Sequence, residues 1–210
     1  MNLLDFITLG ALWISYFIIH SLLASDKVKR GINTNFPGFT HVYRVFYNIS
    51  ATIMLFPMFY FVYFVPSAQI VKWNGFFAVI ANLLAVAALA GFIYSFKFYR
   101  GMDISGIAQY KNKTPEANVF VISPLHRFVR HPWYFFAIII IWTRDMNAYF
   151  LLSASLMTAY FFIGSYFEEQ KLKLHLGNRY AQYMTKVPGI IPSFKRYLTA
   201  TQAENFIRKN

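Results

Sequence analysis

The chain is 210 residues long, 57% apolar and 20% aromatic, with 13% charged residues and a formal charge of +12. A soluble domain carries about a quarter charged residues, and 24 Phe with 15 Tyr in long uncharged runs leave too little polar surface to clothe a globule, so the composition points to a bilayer-embedded unit. The basic residues lie between apolar runs and form no nucleic-acid motif, which argues against nucleic acid as a partner, and the absence of cysteine excludes disulfides, thiolate metal sites and a cysteine nucleophile.

The N-terminal MNLLDF has neither a basic n-region nor a small-residue cleavage site, so the first helix is expected to stay in the mature protein. Charge-free runs of about 18 or more residues are spanning candidates, because about 20 residues at 1.5 Å each cross a core of about 30 Å. Phe6 to Ala24 is the first such run and ends close to His20 and Ser21. A basic connection with Lys27, Lys29, Arg30 and Arg44 leads to the second, Val45 to Val65, which carries Asn48 near its start. After Pro66, which marks a loop, the third run is Gly75 to Phe96. It contains Asn82 and the stretch AVAALAG, where Ala87 and Gly91, four apart, would let a neighbouring helix come close. A polar segment, residues 97 to 131, holds Pro115 and leads to Pro132 to Phe167, long enough for two more helices around the turn Arg144, Asp145, Met146, Asn147. The first of these two, Pro132 to Thr143, is short enough to be tilted or only partly spanning. Beyond residue 187, Pro188 and Pro192 stop any helix, and TQAENFIRKN at 201 to 210 reads as a short interfacial helix or a frayed tail.

The expected architecture is therefore all-α and polytopic, with about five transmembrane helices. Eighteen of the twenty basic residues fall in alternate connections, which by the positive-inside rule puts the N-terminus outside and the C-terminus and both large polar segments in the cytoplasm. In a bacterium that membrane would be the inner one. Residues 1–210 read as a single integral membrane domain, with a three-helix part at 1–96 and a site-bearing part at 97–210. Isolated polar residues in or near spans, here His20, Ser21, Asn48 and Asn82, are functional or else bonded to a neighbouring helix or water, the latter being commoner.

The densest chemistry is RHPWY at 130 to 134. Pro132 suits the first turn of a helix, where its missing N–H costs nothing. The free amides of that helix start, its dipole, Arg130 and His131 then converge at the membrane surface as an anion site for a carboxylate or phosphate. The alternative is that Arg130 and His131 anchor the helix while Trp133 and Tyr134 form its aromatic belt. Glu168 and Glu169 follow directly on the last apolar run. A helical hairpin returns them to the membrane face that carries RHP, so Glu169 can approach Arg130 and His131 and add a cation- or hydroxyl-binding end; a structural ion pair is the other reading. No two of the five histidines stand at i, i+3 or i, i+4 on one expected span, which disfavours haem and metal.

RHPWY, the downstream EE and GNRYAQYMTKVPGIIP resemble the pattern RHPxY, EExxL, FGxxYxxYxxxVPxxIP of integral membrane methyltransferases, which include isoprenylcysteine carboxyl methyltransferases, phospholipid methyltransferases and their bacterial and archaeal relatives. The resemblance covers about residues 103 to 193. HSLLAS at 20 to 25, YRVFYN at 43 to 48 and DISGIAQ at 103 to 109 look like the subgroup of membrane thiol S-methyltransferases and NnrU-like proteins. The resemblance implies S-adenosylmethionine as cofactor, enclosed by the last two helices at a cytoplasmic pocket. The implied contacts are His131, Pro132, Trp133, Tyr134 and Glu169, joined by a backbone-binding stretch at Asn118, Val119, Phe120 and Val121; Glu168 and Arg130 stand beside them. His126 replaces the family's tyrosine five residues before the HP.

Ser165 stands where the carboxyl methyltransferases have an arginine that holds the substrate carboxylate. A carboxylate acceptor would thus lose a charge-assisted hydrogen bond worth about 1.5 to 3 kcal/mol. Ser165 and Tyr166 suit a small or lipidic neutral acceptor. The expected reaction is methyl transfer to a hydrophobic or membrane-soluble acceptor, with a small thiol first and a prenylcysteine carboxylate or phospholipid headgroup second. No base is assigned; His131, His126, Arg130 and solvent are the candidates. A catalytically silent membrane scaffold is the competing class.

Overall fold

The computed structural model describes residues 2–98, 105, 107–111 and 122–208. Asn118 to Val121, and Asp103, Ile104 and Gly106 of the DISGIAQ stretch, lie outside the described residues. In chain order the elements are α1 (Leu3–Ala24), α2 (Asp26–Asn35), α3 (Tyr43–Phe64), β1 (Gln69–Val71), α4 (Gly75–Ser95), α5 (Ile107–Tyr110), α6 (Pro132–Trp142), β2 (Met146–Asn147), α7 (Ala148–Leu176), α8 (Asn178–Lys186) and α9 (Ala200–Arg208).

The chain is an integral multi-pass membrane protein. Among the described residues, four helices, α1, α3, α4 and α7, are long and apolar enough to cross a membrane. They present large apolar side chains outward, Phe64 and Phe76 each at 73% exposure, which water would not tolerate over so large an area but hydrocarbon does. The short helix expected at Pro132 is α6, with 11 residues; at 1.5 Å per residue it rises about 16 Å, half of a bilayer core. By the same rule the 29 residues of α7 extend about 43 Å, so the helix does not stop at Phe167 but carries Glu168 to Leu176 beyond the hydrocarbon.

One compact unit comprises Met1–Lys72, Tyr99–Ala117 and Asp145–Leu156. Here α1 packs on α3. Ser25 ends one helix and starts the next: its Oγ donates to Leu22 O (2.6 Å) and accepts from Val28 N (3.3 Å). Buried Trp13 donates Nε1–H to Ser153 Oγ at 2.9 Å, and Tyr149 donates to Asp5 Oδ2 at 3.0 Å. Two strands that the apolar pattern does not predict, β1 and β2, pair antiparallel in the connections, and Asn147 reaches back to donate to Val62 O (2.7 Å). His20 and Asn48 have protein partners: His20 Nε2 lies 2.7 Å from the Tyr47 hydroxyl, and Asn48 donates to Ser105 O (3.1 Å).

The other unit comprises Trp73–Phe98, Asn118–Arg144 and Met157–Asn210. Its helix pair is α4 with α6. Gly91 permits the approach: a Cβ there would fall 2.5 Å from Phe136 Cζ. The small-residue face runs through Ala81, Ala88, Gly91 and Ser95, whereas Ala87, the expected partner of Gly91, is exposed. Asn82 accepts from Arg144 Nη2 at 3.1 Å. Beyond the spans, Tyr180, Tyr183 and Val187 form a buried core with Ile122, Leu198 and Ala203. The expected helix stop at 187 is where α8 ends, and the polar tail folds as α9.

A candidate active site where three motifs meet

α6 begins at Pro132, directly after Arg130 and His131, as the RHP sequence predicts. The backbone of that start is held by the VPG turn: Arg130 N donates to Pro188 O and Gly189 O, each at 2.9 Å, and His131 N to Gly189 O at 3.1 Å. Gly189 sits close above the cluster, with an added Cβ 3.5 Å from Arg130 Nη2 and 3.8 Å from Glu169 Oε1. The turn is itself positioned by the GNRYAQYMTK segment. Gly177 adopts φ +57°, ψ −139°, a conformation that all but requires glycine, and so sets the angle between α7 and α8. Tyr180, Tyr183 and Val187 then fall on one face of α8 and its C-terminal end and are buried.

The side chains of RHP turn toward Glu169, 39 and 38 residues away in sequence. Arg130 donates to Glu169 Oε1 through Nε (2.8 Å) and Nη2 (2.7 Å), and His131 Nε2 lies 2.9 Å from the same oxygen. Among the described residues, all three contacts fall on Oε1 and none on Oε2. An ionised carboxylate only accepts, so His131 Nε2 carries a proton in this arrangement. The other guanidinium nitrogen, Nη1, donates to Met184 O (3.1 Å) and to Val187 O. Arg130 thus satisfies carbonyls that the end of α8 leaves without helical partners, while gripping Glu169. The pair is desolvated, with side-chain exposures of 10% and 9%.

Glu168, half-exposed, faces the opposite side of the imidazole: its Oε2 lies 3.6 Å from His131 Nδ1 and accepts from the Tyr134 hydroxyl at 3.3 Å. The Tyr134 ring stacks on His131 (5.4 Å, 10°) and on Phe161 (5.1 Å, 11°). Trp133 is held at the end of α4, where Nε1 donates to Ser95 Oγ (2.6 Å) and the indole lies 5.3 Å from both Phe92 and Phe96. These contacts fix the first turn of α6 in three directions. Trp133 therefore does more than mark the aromatic belt at the membrane surface.

The remaining expected residues are more dispersed. Ser165 is buried one helical turn before Glu169, and its hydroxyl donates to Phe162 O (2.8 Å). Tyr166 points off that face, 59% exposed and edge-on to Phe167. His126 lies on the polar link, its Nδ1 2.6 Å from Ser123 Oγ and its carbonyl accepting from the Tyr183 hydroxyl at 2.5 Å. Burial first, then the His131 charge, lower its pKa to about 4. The sequence reading did not single out Tyr180, whose phenol is pushed well above its usual range by burial and then by the Glu169 carboxylate, against the pull of Arg130. Nor did it single out Phe161 or Ser95. Tyr180 is the first tyrosine of the resembled pattern FGxxYxxY, a signal that could have placed it beside the site.

Over 95 residues the chain is 36% identical to a protein named methanethiol S-methyltransferase from Pseudomonas sp. (strain GM41(2012)), covering 43% of this chain and 36% of that protein. Against methanethiol S-methyltransferase 1 and 2 of Bradyrhizobium diazoefficiens it is 31% identical over 121 and 125 residues, covering 54% and 58% of this chain and 42% and 44% of those proteins. The aligned stretch thus spans less than half the length of these curated relatives. No family model matches the chain. No solved structure matches it either.

Proposed function

We propose, from the chain's similarity to proteins named methanethiol S-methyltransferase, that it transfers the methyl group of S-adenosylmethionine to a small thiol. The observation that carries this reading is the state of Glu169. It is a buried carboxylate with one oxygen fixed by Arg130 and His131 and its contacts gathered on that oxygen alone. Its second oxygen is the acceptor that an amino or ribose hydroxyl group of the cofactor calls for. The start of α6 at Pro132 puts the positive end of a helix dipole beside His131, which suits the methionyl carboxylate. The donor set therefore fits a zwitterionic nucleoside.

When bound, the cofactor supplies a methyl group already activated by its sulfonium charge. The protein's part is to align donor and acceptor and to exclude water. Arg130 acts as a positioning residue: it fixes Glu169 and the VPG turn together. A thiol reacts as its thiolate, and its proton passes to solvent or to a base among the candidates His131 and His126. Ser165, in place of a charged side chain one turn before Glu169, leaves that position neutral and suits an uncharged acceptor.

The test is incubation of the detergent-purified full chain with methyl-labelled cofactor and a panel of small thiols, prenylcysteines and amino-phospholipids. Label on the thiol is expected. Label on a carboxylate or headgroup would replace the acceptor while keeping the reaction. Absence of any thermal-shift response to S-adenosylmethionine or S-adenosylhomocysteine at millimolar concentration would make the chain a scaffold rather than an enzyme. Glu169→Gln is expected to bind the cofactor at least about tenfold more weakly, the loss of one charge-assisted hydrogen bond.

A further inference from the structure

A cavity lies in the first unit, away in sequence from the Arg130, His131 and Glu169 cluster. It encloses about 450 Å³ where α1 ends, α2 crosses and α3 begins. Lys29 and Asn33, one turn apart on α2, form one wall; Thr40 comes from the link; Tyr43, Arg44 and Tyr47 come from the first turns of α3. The walls are tied in place. Thr40 Oγ1 donates to Asn33 Oδ1 (2.9 Å), the Tyr43 hydroxyl donates to Leu23 O (2.6 Å), and the Tyr47 hydroxyl lies 2.7 Å from His20 Nε2. Among the described residues, both charged groups lining the cavity are cations.

Its depth identifies the kind of anion. α1 and α3 are spanning helices, so a cavity at the end of one and the start of the other sits at headgroup level. The helix that roofs it, α2, has the sequence DKVKRGINTN and buries no residue, as a helix lying in the interface does. Phe36 and Phe46 beside it are 65% and 46% exposed, and the Phe46 ring lies 5.5 Å from that of Phe39. Such aromatics settle among glycerol and upper acyl carbons.

We propose that this cavity is a phosphate site, with Lys29 and Arg44 as its charged ligands, filled by an anionic membrane phospholipid whose acyl chains lie along the exposed aromatics. A lysine supplies a point charge and an arginine a planar fork, a pairing suited to the two non-bridging oxygens of a phosphodiester. The site is independent of the methyl-transfer reading, and its test uses no activity.

The experiment is thermal unfolding of the detergent-purified full chain, titrated separately with dioctanoyl phosphatidylglycerol, dioctanoylglycerol and inorganic phosphate. Saturable protection by phosphatidylglycerol alone is expected, with half-saturation about tenfold higher for each of Lys29→Gln and Arg44→Gln. Lys27→Gln, on the same helix but outside the cavity, should titrate as the wild type does. Lys29 and Lys27 are both exposed, so the Lys29→Gln arm reads binding rather than folding even if Arg44→Gln proves unstable. Protection by inorganic phosphate without the lipid would keep the phosphate site and change its source. Equal protection by dioctanoylglycerol, protection by none of the three, or wild-type titration of Lys29→Gln would overturn the proposal.

Discussion

Replacing Arg130 by methionine removes a side chain that donates two hydrogen bonds to Glu169 Oε1 and two more to the carbonyls of Met184 and Val187. The volume is roughly kept, so the loss is electrostatic. Glu169, 7% exposed, keeps only His131 on that oxygen. Breaking a buried pair from one side costs about 3 to 5 kcal/mol, because a charge is left without compensation. For a chain of this size, 1 kcal/mol moves the midpoint by about 2 to 4 °C, so apparent unfolding in detergent should fall by about 10 °C. The double variant Arg130→Met with Glu169→Met removes both charges and should recover most of that loss, since a buried ion pair is often no more stabilising than apolar residues of similar volume. Arg130→Lys keeps the charge but not the fork and should fall between. A midpoint within about 2 °C of wild type for Arg130→Met, or a double variant worse than either single one, would refute the view that Arg130 holds Glu169 and the end of α8 together.

Three further outcomes follow from the packing. Gly91→Leu places a side chain where even a Cβ would lie 2.5 Å from Phe136 Cζ; overpacking should cost about 1 to 3 kcal/mol, and Phe136→Ala should restore the midpoint. Ser153→Ala strands the indole N–H of Trp13, which is 5% exposed, at about 1 to 3 kcal/mol, read from the same melting curve. Acidification gives the third. His126 protonates near 6.5 when unfolded but at about 4 in the fold, so between these values the unfolded chain binds more protons and stability falls as pH is lowered. His126→Gln should flatten the melting profile over that window, and an unchanged slope would count against burial as the cause.

The meeting of RHP with the paired glutamates was legible because it needs only two facts: a proline that starts a helix, and a hairpin that brings the chain back. Connections between the motifs were not. Tyr180 and Tyr183 stand in the GNRYAQY motif, but their burial against Ile122 and Leu198 is not visible in it. The destination of Arg130 depends on where α8 ends, which local pattern does not convey. The packing face of α4 was misphased by one residue, Ala87 for Ala88, since a helix that is apolar all round carries no moment from which to read its inner side. The β1–β2 pair consists of a few residues in connections and leaves no periodic trace.

The carbonyls of Pro188 and Gly189, which receive the amides of Arg130 and His131, also set an order of events during synthesis. All four long apolar helices precede residue 177 and can enter the bilayer from the ribosome without them. The start of α6 gains its backbone partners, and Glu169 its frame, only after the VPG turn has emerged and folded back over some 57 residues of earlier chain. Insertion and assembly of the site are therefore separable. A chain truncated just before Val187 would keep its four long apolar helices and lack the carbonyls that hold the start of α6.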